Sequence, residues 1–285
     1  MAMPSRDERD RTLAECALRA PDIAAKSCDA SHGCAPYHAI WPTMRLLEVI
    51  GSPDAPEDLP FWQRALDGLS TIDQPRVLLS GAADHGFLEL VHGVLAQAGV
   101  GAKLCLVDRC ATPLQLNRWY AENAGIELEM QQSDILSFAR ERRFDAVLAH
   151  SFIDQIPSEH WPALLARWHD LVRPGGRVVT LNRLRRASEA EAERASAAAP
   201  HDYAAMIARK NRDLPASLGI PSALAAHAER YWQRRMPTPF RSRGEIVALL
   251  ENAGFSIEAA DEGFATVAGR SFSKSRRLRL IARRP

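Results

Sequence analysis

The chain has 285 residues, 46% hydrophobic and 25% charged, with 36 Lys and Arg against 35 Asp and Glu. Such a chain is long enough to bury a sizeable core and has the composition of an ordinary globular protein, while its formal charge of +1 lacks the basic excess of a nucleic-acid binder. No apolar run approaches the roughly 20 residues that span a bilayer, and "MAMPSRDERDRTLAE" is too charged for a signal peptide, so a cytoplasmic protein with no membrane partner is expected.

Residues 1–72 read as an N-terminal helical cap, with helical apolar spacing in "RDERDRTLAECAL" and "APYHAIWPTMRLLEVI" and a Pro-rich connection "GSPDAPEDLP". From residue 73 onward strands and helices alternate. "RVLLSG" is a buried strand, and the helix after it carries Phe87, Leu90, Val91, Val94 and Leu95 on one face. "AKLCLVD" is a second strand. "TPLQLNRWYAENAG" predicts a helix opened by a capping box of Thr112 with Gln115, with Pro113 at its first position and Gly125 at its end. "IELEMQQ" and "FDAVLAHSF" are the third and fourth strands. "SEHWPALLARWHDLV" buries Trp161, Leu164, Leu165, Trp168 and Leu171, and "RPGGRVVTLN" turns on Gly175 and Gly176 into the fifth strand. Five strands with four helical connections mean a parallel sheet covered on both faces.

From 186 to about 238 the alternation lapses into a helical insertion, read as a lid. The core then resumes with "SRGEIVALLENAGF", "SIEAADE" and "RRLRLIARRP". The expected fold is therefore α/β: a doubly wound, seven-stranded, mostly parallel sheet with a C-terminal antiparallel hairpin, plus the helical cap and the insertion after strand 5. The Arg clusters at Arg183 to Arg186 and Arg276 to Arg279 read as solvated surface. Five cysteines (Cys16, Cys28, Cys34, Cys105, Cys110), odd in number and without a CxxC, imply neither a disulfide framework nor a zinc site, and no metal is expected.

Open doubly wound sheets bind ligands outside the carboxyl ends of their strands. At those ends stand Gly81, Asp108, Asp134 and His150. Gly81 lets the chain turn sharply and brings backbone N–H groups to a ligand. Asp108 can accept hydrogen bonds from two ribose hydroxyls. Read as structure alone, Gly81 turns the chain and Asp108 caps a helix; their joint placement at matching strand ends favours a cofactor. The loop Gly81-x-Ala83-x-x-Gly86 suits either a nicotinamide dinucleotide or S-adenosylmethionine.

The motifs "VLLSGAADHG", "LCLVDRC", "QQSDIL", "FDAVLAHSF", "LVRPGGRVV" and "LLENAGFSI", in that order, together with the closing "RRLRLIARR", resemble the class I S-adenosylmethionine-dependent methyltransferases over residues 75–184 and 240–283. An NAD(P)-dependent oxidoreductase needs no such ending, and there is no Tyr-x-x-x-Lys pair to serve a short-chain dehydrogenase; a non-catalytic cofactor-binding member of the same fold is the other alternative. The resemblance implies S-adenosyl-L-methionine as cofactor. Gly81 and Ala83 would line its methionine and ribose, Asp108 with Arg109 beside it would hold the ribose, and Ser133, Asp134 and Ile135 would flank the adenine. His150 would meet the methyl group. The loop departs from the family in having Leu79 where an acid is usual, Ala83 for a glycine, and Gly86 one step late; Ser80 or Asp84 could replace the lost contact.

Methyl transfer is an in-line displacement, so alignment in a dry site is the protein's main task. His150 is the best-placed base if the nucleophile must lose a proton. In this family the acceptor sits under helices added to the core. His38, Trp41 and Arg45 share one face, with Tyr37 beside it, as an aromatic and cationic wall or as ordinary interface. Tyr203 and Tyr231, beside Trp232, Arg234 and Arg235, are the matching candidates in the insertion. The near-neutral charge favours a small-molecule substrate, amino-acid-like or a specialised metabolite, over nucleic acid; N, O or S methylation and a homodimer are left open.

Overall fold

A computed structural model describes residues 5–139, 144–184, 205, 208–210, 212–213, 242–266 and 274–285. Seven strands form one sheet: β1 (Arg76–Ser80), β2 (Lys103–Asp108), β3 (Leu128–Gln132), β4 (Phe144–His150), β5 (Val172–Arg183), β6 (Ser256–Thr266) and β7 (Lys274–Arg283). Their order is β3-β2-β1-β4-β5-β7-β6. The first five are parallel; β7 runs antiparallel to both β5 and β6, the expected hairpin. Strand order reverses between β1 and β4, which makes that crevice the ligand position for this topology.

The continuous apolar runs of the central strands follow from burial on both faces. Leu78, Val107, Val147, Val178 and Leu280 point to one layer, where they meet Leu164, Leu165 and Trp168 of α6 (Trp161–Leu171) and Ile246 and Leu250 of α7 (Arg243–Asn252). Val77, Leu79, Leu106, Leu148 and Val179 point to the other. There they meet Trp62 and Leu66 of α3 (Leu59–Asp67), Leu88 and Val91 of α4 (Gly86–Gln97), and Leu114 and Tyr120 of α5 (Ala111–Ala124).

The N-terminal segment forms α1 (Arg6–Ser27) and α2 (Ala35–Leu46). A capping box opens α1: the Ser5 hydroxyl accepts from the Glu8 N–H while the Glu8 carboxylate accepts from the Ser5 N–H. Leu13, Ala14 and Ala17 of α1 pack on Ile40 and Met44 of α2. Cys16 and Ala20 pack on Leu116 of α5, and the Arg19 guanidinium lies 5.0 Å above the Trp119 ring. The pair α1–α2 is thereby fixed to the helix that follows β2.

Three expectations are corrected. Between β3 and β4 the described residues form turns around Asp134, so the described connections include three helices, α4, α5 and α6. Helix α5 begins at Ala111 with Cys110 as its cap and no side-chain cap bond. Thr112 and Gln115 form no capping box; they bond instead to the end of α1, through Cys28 Sγ at 3.1 Å and Ser27 Oγ at 2.9 Å. The arginines of β7 are not a solvated cluster: Arg277 and Arg279 are largely buried and pair with the buried Asp58 at the start of α3, and Arg276 pairs with Glu262. Tyr203, Tyr231, Trp232, Arg234 and Arg235 lie outside the described residues. From the insertion, Lys210 donates to the Leu47 carbonyl at 3.0 Å.

Candidate functional site

The turn after β1 begins at Gly81, whose φ is +79° and whose N–H donates to the Val107 carbonyl at 2.9 Å. A Cβ there would stand 2.2 Å from the Phe152 ring. Backbone conformation and close approach both require glycine. Asp108, at the end of β2, accepts from Ala82 N–H at 3.1 Å and Cys110 N–H at 2.8 Å. One carboxylate thus ties the turn after β1 to the turn after β2. Burial pushes its pKa up against the pull of those N–H groups and of His38. Past β3, Asp134 is exposed and accepts from Leu136 N–H at 2.9 Å; Ser133 is half-buried beside it and Ile135 is buried. Arg109 is exposed, with its carbonyl accepting from Gln132 at 3.2 Å.

The two replacements expected for the missing strand acid are both engaged elsewhere. Ser80 is fully buried and its hydroxyl accepts from the Trp168 indole at 3.0 Å. Asp84 is 2% exposed and accepts from Arg45 at 2.6 Å and Gly86 N–H at 2.8 Å. Burial alone would raise the Asp84 carboxyl, yet Arg45 and the neighbouring donors hold it below its ordinary value. The glycine that stood one step late now has a reason. A Cβ at Gly86 would lie 2.2 Å from the Arg45 guanidinium, so Gly86 makes room for the buried ion pair. Ala83 is half-buried on the same turn.

Helix α2 therefore reaches the carboxyl edge of the sheet, but not as a wall of free groups. Arg45 is spent on Asp84. Trp41 packs half-buried in the α1–α2 core, 4.8 Å from the Tyr37 ring. His38 is buried with its Nδ1 at 3.3 Å from Cys28 Sγ and 3.4 Å from Cys110 Sγ. Cys34 Sγ lies 3.8 Å from Cys110 Sγ. The cysteine count had pointed away from zinc because it sought paired motifs; the fold gathers three cysteines and a histidine from residues 28 to 110. The local run Cys28-x-x-x-x-x-Cys34-x-x-x-His38 was the signal available.

His150 ends β4, with the rings of Phe87 and Trp62 at 5.8 and 6.4 Å. Its Nε2 is buried with no hydrogen-bond partner among the described residues. Burial, with Arg277 and Arg45 adding to it, pushes its pKa down to about 3. It is a neutral imidazole at neutral pH.

A methyltransferase domain model matches residues 90–176. No curated protein matches in sequence. Among solved structures, the chain is similar to the N-methyltransferase NodS from Bradyrhizobium japonicum, crystallised with S-adenosylhomocysteine: 13% identity over 82% of this chain and 89% of that one, TM-score 0.51. It is also similar to the 1,6-didemethyltoxoflavin-N1-methyltransferase of Burkholderia thailandensis, at 16% identity over 79% and 76%, TM-score 0.50. At such identities the structural likeness is one of fold. The matched domain lies within the sheet, and the order of the seven strands, with its closing antiparallel pair, is that of a methyltransferase-like α/β fold.

Proposed function

We propose that the protein is an S-adenosylmethionine-dependent methyltransferase acting on a small-molecule acceptor. The observation that carries this reading is the convergence of Gly81, Asp108, Asp134 and His150 on one edge of the sheet, around the point where strand order reverses. Two similar structures hold S-adenosylhomocysteine, and the near-neutral charge suits a small acceptor.

The residues fit the ribose and adenine ends of the cofactor. Each Asp108 oxygen accepts one backbone N–H, and each keeps a lone pair for one of two vicinal hydroxyls. Asp134 offers an exposed carboxylate, already oriented by Leu136 N–H, to an exocyclic amine. At the amino-acid end Ser80 and Asp84 are engaged, so the backbone of the turn at 81–83 is the polar surface on offer. When bound, S-adenosylmethionine supplies the electrophilic methyl group.

His150 holds the nucleophile in line rather than carrying off its proton. A base whose conjugate acid has a pKa of about 3 takes few protons near neutrality, but its buried Nε2 is a hydrogen-bonding atom in search of a partner. A neutral amine or a thioether, neither of which must be deprotonated before attack, suits such a group best. Trp62 and Phe87 keep that position dry and give it aromatic faces toward a cation.

Titration calorimetry tests the reading. Micromolar binding of S-adenosylmethionine and of S-adenosylhomocysteine is expected. Binding of NAD or NADP with no heat from either sulfur ligand would overturn it.

A further inference from the structure

We propose that Cys28, Cys34, His38 and Cys110 form a structural zinc site that locks the N-terminal helices onto the turn carrying Asp108. The donor atoms, three Sγ and one imidazole nitrogen, all lie within 4.8 Å of one another. The contacts are 3.6 Å for Cys28–Cys110, 3.8 Å for Cys34–Cys110, and 3.3 and 3.4 Å from His38 Nδ1 to Cys28 and Cys110. A tetrahedral zinc ion with bonds of about 2.3 Å to sulfur and about 2.0–2.1 Å to nitrogen sets ligand-to-ligand edges of roughly 3.5–3.8 Å. Four of the six edges lie within a few tenths of an ångström of that range, and all six are within 4.8 Å. They are far beyond the S–S bond of about 2.05 Å in a disulfide.

The alternative is a cluster of thiols hydrogen-bonded for packing alone. Three observations weigh against it. First, a thiol is a weak donor and a weak acceptor, so Cys28 and Cys110 are a poor way to satisfy the buried ring nitrogen of His38. Second, Cys34 and Cys110 occupy the cap positions of α2 and α5, where neither makes a side-chain cap bond. Ser, Thr, Asp or Asn is preferred there, so capping does not explain the cysteines, whereas a helix N-terminus does stabilise a thiolate. Third, Thr112 Oγ1 lies 3.1 Å from Cys28 Sγ, at the helix turn next to the cluster, where its hydroxyl can donate to a ligating sulfur.

Four protein donors close a tetrahedral shell, which is the structural rather than the catalytic arrangement. Three helix termini meet at the cluster: the end of α1 at Cys28, the start of α2 at Cys34 and the start of α5 at Cys110. Between Cys28 and Cys34 the chain makes only a short 3-10 turn. The consequence for the site follows from one bond. Cys110 N–H donates to Asp108 at 2.8 Å, so fixing the Cys110 sulfur also fixes the carboxylate proposed for the ribose. This last coupling rests on the proposed function; the metal site does not.

The test uses the full-length protein, expressed in zinc-supplemented medium and purified without chelator. Elemental analysis should find about one zinc per chain, and Cys34→Ser and Cys110→Ser should each lose it. Should those variants fail to fold, cobalt(II) exchanged into the wild-type protein should give the intense visible bands of tetrahedral thiolate coordination. Alkylation of Cys28, Cys34 and Cys110, mapped by mass spectrometry, should be slow until a strong chelator is added. Substoichiometric zinc with no cobalt bands, alkylation indifferent to the chelator, or a disulfide among these cysteines would each overturn the site. All of these readings are made without S-adenosylmethionine, so their failure leaves the calorimetric result standing, and the reverse.

Discussion

Asp108 is the residue on which the proposed cofactor site depends most, because its two oxygens are already aimed by backbone N–H groups from two different turns. Asp108→Ala removes hydrogen bonds that involve a charged group and should weaken S-adenosylhomocysteine binding by about 1.5–3 kcal/mol. Calorimetry beside a circular dichroism spectrum checks this; full affinity in a folded variant would mean the ribose lies elsewhere. Asp108 was legible in the sequence because a strand end is marked by where an apolar run stops. Ser80 and Asp84 were not, since nothing local reveals that Trp168 lies 88 positions away from the one, or that Arg45 lies 39 positions before the other. The cysteine cluster hid for the same reason. Its fourth member, Cys110, caps α5 just past the end of β2, 72 residues beyond His38.

At the scale of elements, parallel strands buried on both faces print themselves as apolar runs that survive any context, which is why "RVLLS", "LCLV" and "DAVLA" read correctly. Helix starts did not, because Thr112 and Gln115 had a better use against α1 than in capping their own helix. The attachment of α2 to the turn after β1 likewise depends on a long-range contact. Arg45 and Asp84 have side chains 4% and 2% exposed, and their pairing at 2.6 Å fixes the geometry of the turn that Gly81 begins. Arg45→Met strands a carboxylate in the interior, which costs about 3–5 kcal/mol when a buried pair loses one partner. A lower urea midpoint is expected, and the double variant Arg45→Met with Asp84→Asn should recover part of the loss. Equal stability of the single variant and the wild type would show that the pair is not buried in solution. Trp41 belongs to the same element but not to the turn: packed on Tyr37, it serves the α1–α2 interface.

The molecule as a whole is held by charges that join distant parts of the chain, and its response to acid follows from which buried groups stay neutral. Asp58, before α3, takes both Arg277 and Arg279 of the last strand, clamping the N-terminal segment to the C-terminal hairpin. Around the strand ends three further groups are buried without full compensation. Burial pushes His85 down to about 4 and His150 down to about 3, and pushes Glu89 up to about 7. An unfolded histidine takes its proton near pH 6.5 and an unfolded glutamate near 4.3. As pH falls below about 6.5 the unfolded chain therefore gains two protons that the folded chain refuses at His85 and His150, and stability drops. Glu89 works the other way, because the folded chain holds its proton first and stability from this group grows as pH falls from 7 toward 4.5. Two groups against one leave a net loss of roughly 1 kcal/mol per pH unit between 6.5 and 4.5, steepening below that once Glu89 is protonated in both states. Urea midpoints taken across this range should fall monotonically. His85→Phe, which keeps a ring on Tyr120, 4.8 Å away in the wild type, should flatten the curve between 6.5 and 4.5. A wild-type midpoint that holds or rises on acidification would show that at least one of the two histidines is charged in the fold.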